Sequence, residues 1–108
     1  MSGYSEAKSL ILEHDKKCAA AFNAAVGDDQ RREIAKEFYK SWFRTMVGQG
    51  HSDECCDDPE IGSMLDVWRE RSESAGLEIT PFRVVETAVK TSRNGCYNWE
   101  EAFKAHLS

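Results

Sequence analysis

The 108-residue sequence has only two prolines, no low-complexity tract and no apolar run of the length that crosses a membrane. With 41% apolar and 31% charged residues, this composition excludes a disordered or collagen-like chain. The first six residues have neither the basic leader nor the apolar core of a signal peptide. We therefore expect a cytoplasmic protein with no membrane partner, folded as one domain over residues 1–108.

The sequence also lacks the cysteine spacing of a zinc knuckle. It has four cysteines but no Cys-x-x-Cys, and Cys55 and Cys56 are adjacent, which disfavours a bridge between them. Because no secretory signal precedes them, we expect reduced thiols. The sequence alone leaves open whether Cys55, Cys56 or Cys96 form disulfides or bind metal.

Basic residues are missing from one stretch, residues 49–60, which we call the acidic segment. This segment holds Asp53, Glu54, Asp57, Asp58 and Glu60 and no Lys or Arg. With these five of the 19 acids set aside, 14 acids and 14 bases remain, so the net charge of −5 lies wholly in the acidic segment. A protein that binds nucleic acid through phosphates needs the opposite, a basic surplus, so we do not expect direct nucleic-acid binding.

The apolar spacing predicts an all-α fold. The most apolar helix candidate covers residues 34–47, where half the circumference is lined by Ile34, Ala35, Phe38, Tyr39, Trp42, Phe43 and Met46. An arc this wide needs neighbours on two sides, which predicts a central helix. We expect a compact single-domain bundle of four to five helices around this aromatic-rich helix.

Capping signals give the other helices. They predict a first helix over 5–26, with Ala7, Ile11, His14, Cys18 and Phe22 on its apolar stripe, and a third that opens at Asp58-Pro59 and ends at Gly76. Thr80-Pro81 opens a fourth, with Phe82, Val85, Ala88 and Val89 predicted to face inward, and Asn98 opens the last. We expect a loop over 51–57, with a short helical turn left open there, and a short strand within 77–85 also remains open because that stretch is rich in β-formers.

Two His-x-x-x-Cys pairs, His14 with Cys18 and His51 with Cys55, carry the ligand types that zinc prefers, and each pair lies on one side of a helical turn. They form the one candidate set for a structural zinc site. The first pair falls on the apolar stripe of helix one, where a buried thiol and a hydrogen-bonded imidazole are ordinary core residues. We therefore predict no metal and no cofactor.

Catalytic patterns are weak. A cysteine nucleophile with His14, His51 or His106 as its base is conceivable, but no glycine-framed nucleophile, phosphate-binding loop or carboxylate pair accompanies it. We predict that the chain is not an enzyme. Residues 68–85 also have the outline of a helix-turn-helix, with Arg83, Lys90 and Arg93 placed to meet phosphates, but Arg71 stands where that motif usually has an apolar residue.

The acidic segment supports the preferred hypothesis of function, a small interaction protein that binds a larger protein with a basic surface and inhibits or modulates it. The expected contact residues are Asp53, Glu54, Asp57, Asp58 and Glu60. Phage-encoded anti-CRISPR proteins, immunity proteins and antitoxins are similar to this chain in size and charge only. The alternatives are a helix-turn-helix regulator that binds DNA and a small protein with a structural zinc site.

Overall fold

The computed structural model describes residues 3–107, and in that range it is all-α, with no strand. This confirms the predicted fold class. The α-helices are α1 (Tyr4–Ala24), α2 (Asp28–Trp42), α3 (Ser52–Cys56), α4 (Pro59–Ser74), α5 (Pro81–Lys90) and α6 (Trp99–His106), and a π-helical turn (Phe43–Val47) continues α2. None of the described helices is both long and apolar enough to cross a bilayer.

The described residues form two compact units, an N-terminal unit that ends at Leu77 and a C-terminal unit that begins at Glu78. The prediction of one domain over residues 1–108 stays a prediction. Six described α-helices exceed the predicted four to five because α3 occupies the stretch expected to be a loop.

The N-terminal unit is built around α2, as the wide apolar arc predicted. This helix packs against α1 on one side and α4 on another. Of the seven arc residues, Ile34 is half-buried and the other six are buried. The Phe38 ring stacks on the Trp68 ring of α4, with centroids 4.4 Å apart and planes within 9° of parallel. The aromatic rings of α2 and α4 therefore form the centre of this unit's core.

Local capping chemistry sets both ends of α4. At its start the Asp58 carboxylate accepts the backbone N–H of Glu60 at 3.0 Å, and Pro59 occupies the first helical position. At its end Gly76 has φ +83°, and the N–H groups of Gly76 and Leu77 donate to the carbonyls of Glu73 and Ser72. This is the Schellman arrangement, which needs a left-handed residue after the helix and explains the glycine.

The C-terminal unit is a pair of packed helices, α5 and α6. Between them Asn94 and Gly95 both have positive φ, and Arg93 and Cys96 exchange two backbone hydrogen bonds across the turn. Two consecutive positive φ values between a hydrogen-bonded pair are typical of a type I′ turn, for which Asn-Gly is the preferred sequence. No strand occurs in the described residues 77–85.

The predicted inward face of α5 was wrong in part. Val84 and Ala88 are fully buried, whereas Phe82 is 73% exposed, Val89 is 48% exposed and Val85 is half-buried. Two apolar stripes overlap on this helix, one with spacing 82, 85 and 89 and one with spacing 84 and 88, and both have helical periodicity. Periodicity alone does not decide which stripe packs, and the structure buries the smaller side chains.

Candidate interaction surface

The middle of the acidic segment is helical, which corrects the loop predicted over residues 51–57. The five-residue helix α3 starts after His51, whose N–H donates to the carbonyl of Met46 at 2.8 Å. Cys55 is the buried residue of α3, and Asp53 and Glu54 lie in its first turn. Carboxylates there interact favourably with the positive end of the helix. A helix this short contains no repeating apolar spacing, so periodicity favoured a loop and only left a short helical turn open.

Asp58 is the most constrained acid of the segment. Its carboxylate accepts the Tyr4 hydroxyl at 2.7 Å and pairs with the Lys8 ammonium at 2.8 Å, while Lys8 also pairs with Glu60 at 2.9 Å. We call these four residues the Asp58 clasp. The clasp ties the first two turns of α1 to the first turn of α4, in addition to the cap that Asp58 provides.

Three residues of the clasp have shifted pKa values, each for a physical reason. Hydrogen bonds from Lys8 first, and then from Tyr4, lower the pKa of Asp58 to about 2. The hydrogen bond to Asp58 is the largest cause that raises the pKa of Lys8. Burial, followed by the hydrogen bond to Asp58, raises the pKa of the Tyr4 phenol. At neutral pH the clasp therefore contains a charged acid, a charged amine and a neutral phenol.

The five predicted contact acids consequently divide into two groups. Asp58 is only 13% exposed and, with Glu60, is paired with Lys8. Asp53, Glu54 and Asp57 are exposed, and Glu54 lies 3.0 Å from the His51 ring nitrogen Nδ1. Among residues 3–107, Asp53 and Asp57 have neither a hydrogen bond from another side chain nor an ion pair. Glu60 is also exposed but is paired with Lys8, so the exposed acids that do not pair with Lys8 are Asp53, Glu54 and Asp57, which we call the open acids.

The structure does not assemble the predicted zinc set. The Cys18 thiol lies 3.4 Å from His14 Nε2, so this pair is a local contact on α1. The His51 ring meets the Tyr4 ring edge-on at 5.8 Å, and Cys55 is buried in α3. Within the described range, no three His, Cys, Asp or Glu side chains are grouped so that they could hold a metal ion.

Burial disfavours the thiolate form of two of the cysteines, Cys18 and Cys55. All four are free, and burial raises the pKa of the thiols of Cys18 and Cys55. A raised pKa keeps a thiol protonated at neutral pH, and the thiolate is the reactive form. Cys56 and Cys96 are exposed. His106, the third candidate base, hydrogen-bonds Thr87 at 2.7 Å between α6 and α5.

The helix-turn-helix outline crosses from the N-terminal to the C-terminal unit and stays a prediction. Arg71, the residue that departed from the motif, has a role inside the N-terminal unit. Its guanidinium lies 4.6 Å from the Trp68 ring centroid and 3.9 Å from the carboxylate of Asp15. Both contacts hold the cation against the core rather than in solvent.

The sequence pattern does not reveal the partners of the acidic segment, Tyr4 and Lys8. Tyr4 and Asp58 are 54 positions apart, and no local spacing links them. The available signal was an unpaired lysine one turn from a tyrosine at the start of a helix, which is common on any surface. No protein-family model, no curated protein and no solved structure matches this chain.

Proposed function

We propose that this chain is a small interaction protein that binds a larger protein through the open acids and inhibits or modulates it. One observation carries the proposal: Asp53, Glu54 and Asp57 are all exposed on a segment that contains no Lys or Arg. A surface of one charge sign attracts a complementary surface and repels others. The expected partner therefore presents Lys and Arg at its contact surface.

Because of the Asp58 clasp, we expect fewer than all five acids of the acidic segment to contact the partner. A basic partner that used Asp58 would have to displace both Tyr4 and Lys8, which hold its carboxylate at 2.7 and 2.8 Å. Among residues 3–107, the open acids would have to break only one side-chain contact, that of Glu54 with His51. We therefore place the contact on Asp53, Glu54 and Asp57, and assign Asp58 to the structure of α4.

The energies of exposed ion pairs indicate whether the open acids alone can supply the affinity of a complex. Exposed ion pairs contribute about 0.2–1 kcal/mol each, so three of them supply on the order of 0.6–3 kcal/mol. This is far below the roughly 8 kcal/mol of a micromolar complex. Long-range attraction, in contrast, raises association rates by about 10–1,000-fold. The open acids are therefore proposed to set association rate and partner choice, while further surface supplies most of the affinity.

The experiment compares wild type with a triple variant, Asp53→Lys, Glu54→Lys and Asp57→Lys. The matched control reverses three exposed acids on α4, Asp66→Lys, Glu70→Lys and Glu73→Lys, and so makes the same change in net charge. Affinity capture from the source organism identifies the partner. Surface plasmon resonance then measures association rates at two salt concentrations.

We expect the open-acid variant to lose at least tenfold in association rate, and the α4 control to lose much less. The wild-type rate should fall with salt, because screening acts on exposed charges. Equal losses in both variants would mean that only net charge matters, and no loss would place the contact elsewhere. Circular dichroism shows whether each variant remains helical, since Lys at positions 53 and 54 removes favourable charge from the start of α3.

The Lys8→Met variant tests whether the partner contacts only the open acids or also the acids of the clasp. Methionine keeps most of the apolar stem and removes the cation that pairs with Asp58 and Glu60. If the partner contacts only the open acids, the association rate should rise less than about twofold, from one unit of net charge. A much larger rise would show that Asp58 or Glu60 also reaches the partner.

Inhibition is tested on the captured partner, by measuring its activity with and without this chain. A gel shift at low and high salt tests the alternative, the DNA-binding regulator, because phosphate binding weakens steeply as salt increases. A salt-sensitive shift of duplex DNA by the purified chain would contradict the proposed function.

A further inference from the structure

We draw no further inference here: the strongest candidate, the exposed apolar stripe of Phe82 and Val89 on α5, carries no proposal because nothing in the structure shows what covers it.

Discussion

Trp68 and Trp42, two buried tryptophans of the N-terminal unit, differ in the hydrogen bonding of their indole Nε1 atoms, and this difference gives a quantitative prediction. Trp68 is fully buried, and its indole Nε1–H donates to the carboxylate of Asp15 at 2.6 Å. Trp42 is 9% exposed, which confirms the expectation that it is buried, but its Nε1 has no acceptor among the residues that the structure describes. Replacing each tryptophan with phenylalanine removes the same atoms from two different polar environments.

The packing losses in Trp68→Phe and Trp42→Phe are of similar size and largely cancel in the difference. The polar terms do not cancel. Trp68→Phe removes a hydrogen bond to a charged group, which contributes about 1.5–3 kcal/mol, with the low end expected because the Asp15 side chain is 26% exposed. Trp42→Phe removes a buried donor that has no acceptor within residues 3–107, which relieves a desolvation cost of about 1–3 kcal/mol. Trp68→Phe should therefore destabilise the protein by about 2.5–4.5 kcal/mol more than Trp42→Phe.

Urea denaturation followed by far-ultraviolet circular dichroism measures both variants against wild type. A double-mutant cycle with Asp15→Ala isolates the hydrogen bond, and its coupling energy should be about 1.5 kcal/mol. Equal destabilisation by the two phenylalanine variants, or additive effects of Trp68→Phe and Asp15→Ala, would refute the assignment of the two indole environments.

Three further predictions address the clasp, α5 and metal binding. Because Lys8 lowers the pKa of Asp58 to about 2, the stability that this carboxylate contributes is present above about pH 4 and is lost as the pH falls towards 2. Urea denaturation repeated between pH 4 and pH 2 should show that the Lys8→Met variant loses less free energy of unfolding over this range than wild type. By the same assay, Val84→Ala should lower the free energy of unfolding by about 1–2 kcal/mol, because Val84 is fully buried, and Phe82→Ala by less than about 0.5 kcal/mol, because Phe82 is exposed. The opposite order would refute the observed inward face of α5. Elemental analysis should find well under one zinc per chain, and a chelator should leave the melting temperature unchanged; stoichiometric zinc that is lost in Cys55→Ser would show a metal site.

The helices that sequence reasoning placed well are those whose signals are local. Asp58-Pro59 and Gly76 mark the two ends of α4, because a cap or a left-handed terminus is satisfied within a few residues of itself. The wide arc of α2 was also sufficient, since a helix apolar over half its surface has to pack on two sides. The inward face of α5 was not predictable, because two stripes of helical period compete there and only tertiary packing selects one.

For the candidate site, the sequence could place charge but could not assign it a structural role. It located every acid of the acidic segment, and local rules predicted that Asp58 caps α4. It could not predict that Lys8, far away in sequence, neutralises part of the segment, because that pairing depends on how α1 lies against the start of α4. The short α3 was equally hidden, since a buried Cys55 gives no periodic signal within five residues.

The pairing with Lys8 changes how the net charge of −5 should be understood. Counted along the chain, the excess lies in the acidic segment, but Lys8 brings one positive charge against Asp58 and Glu60 at distances below 3 Å. The field of the segment is therefore concentrated at its α3 end, on Asp53, Glu54 and Asp57. On the proposed function, charge reversal at these three positions is therefore the decisive perturbation, because it removes the attraction and leaves the bonds that hold α1 to α4 unchanged.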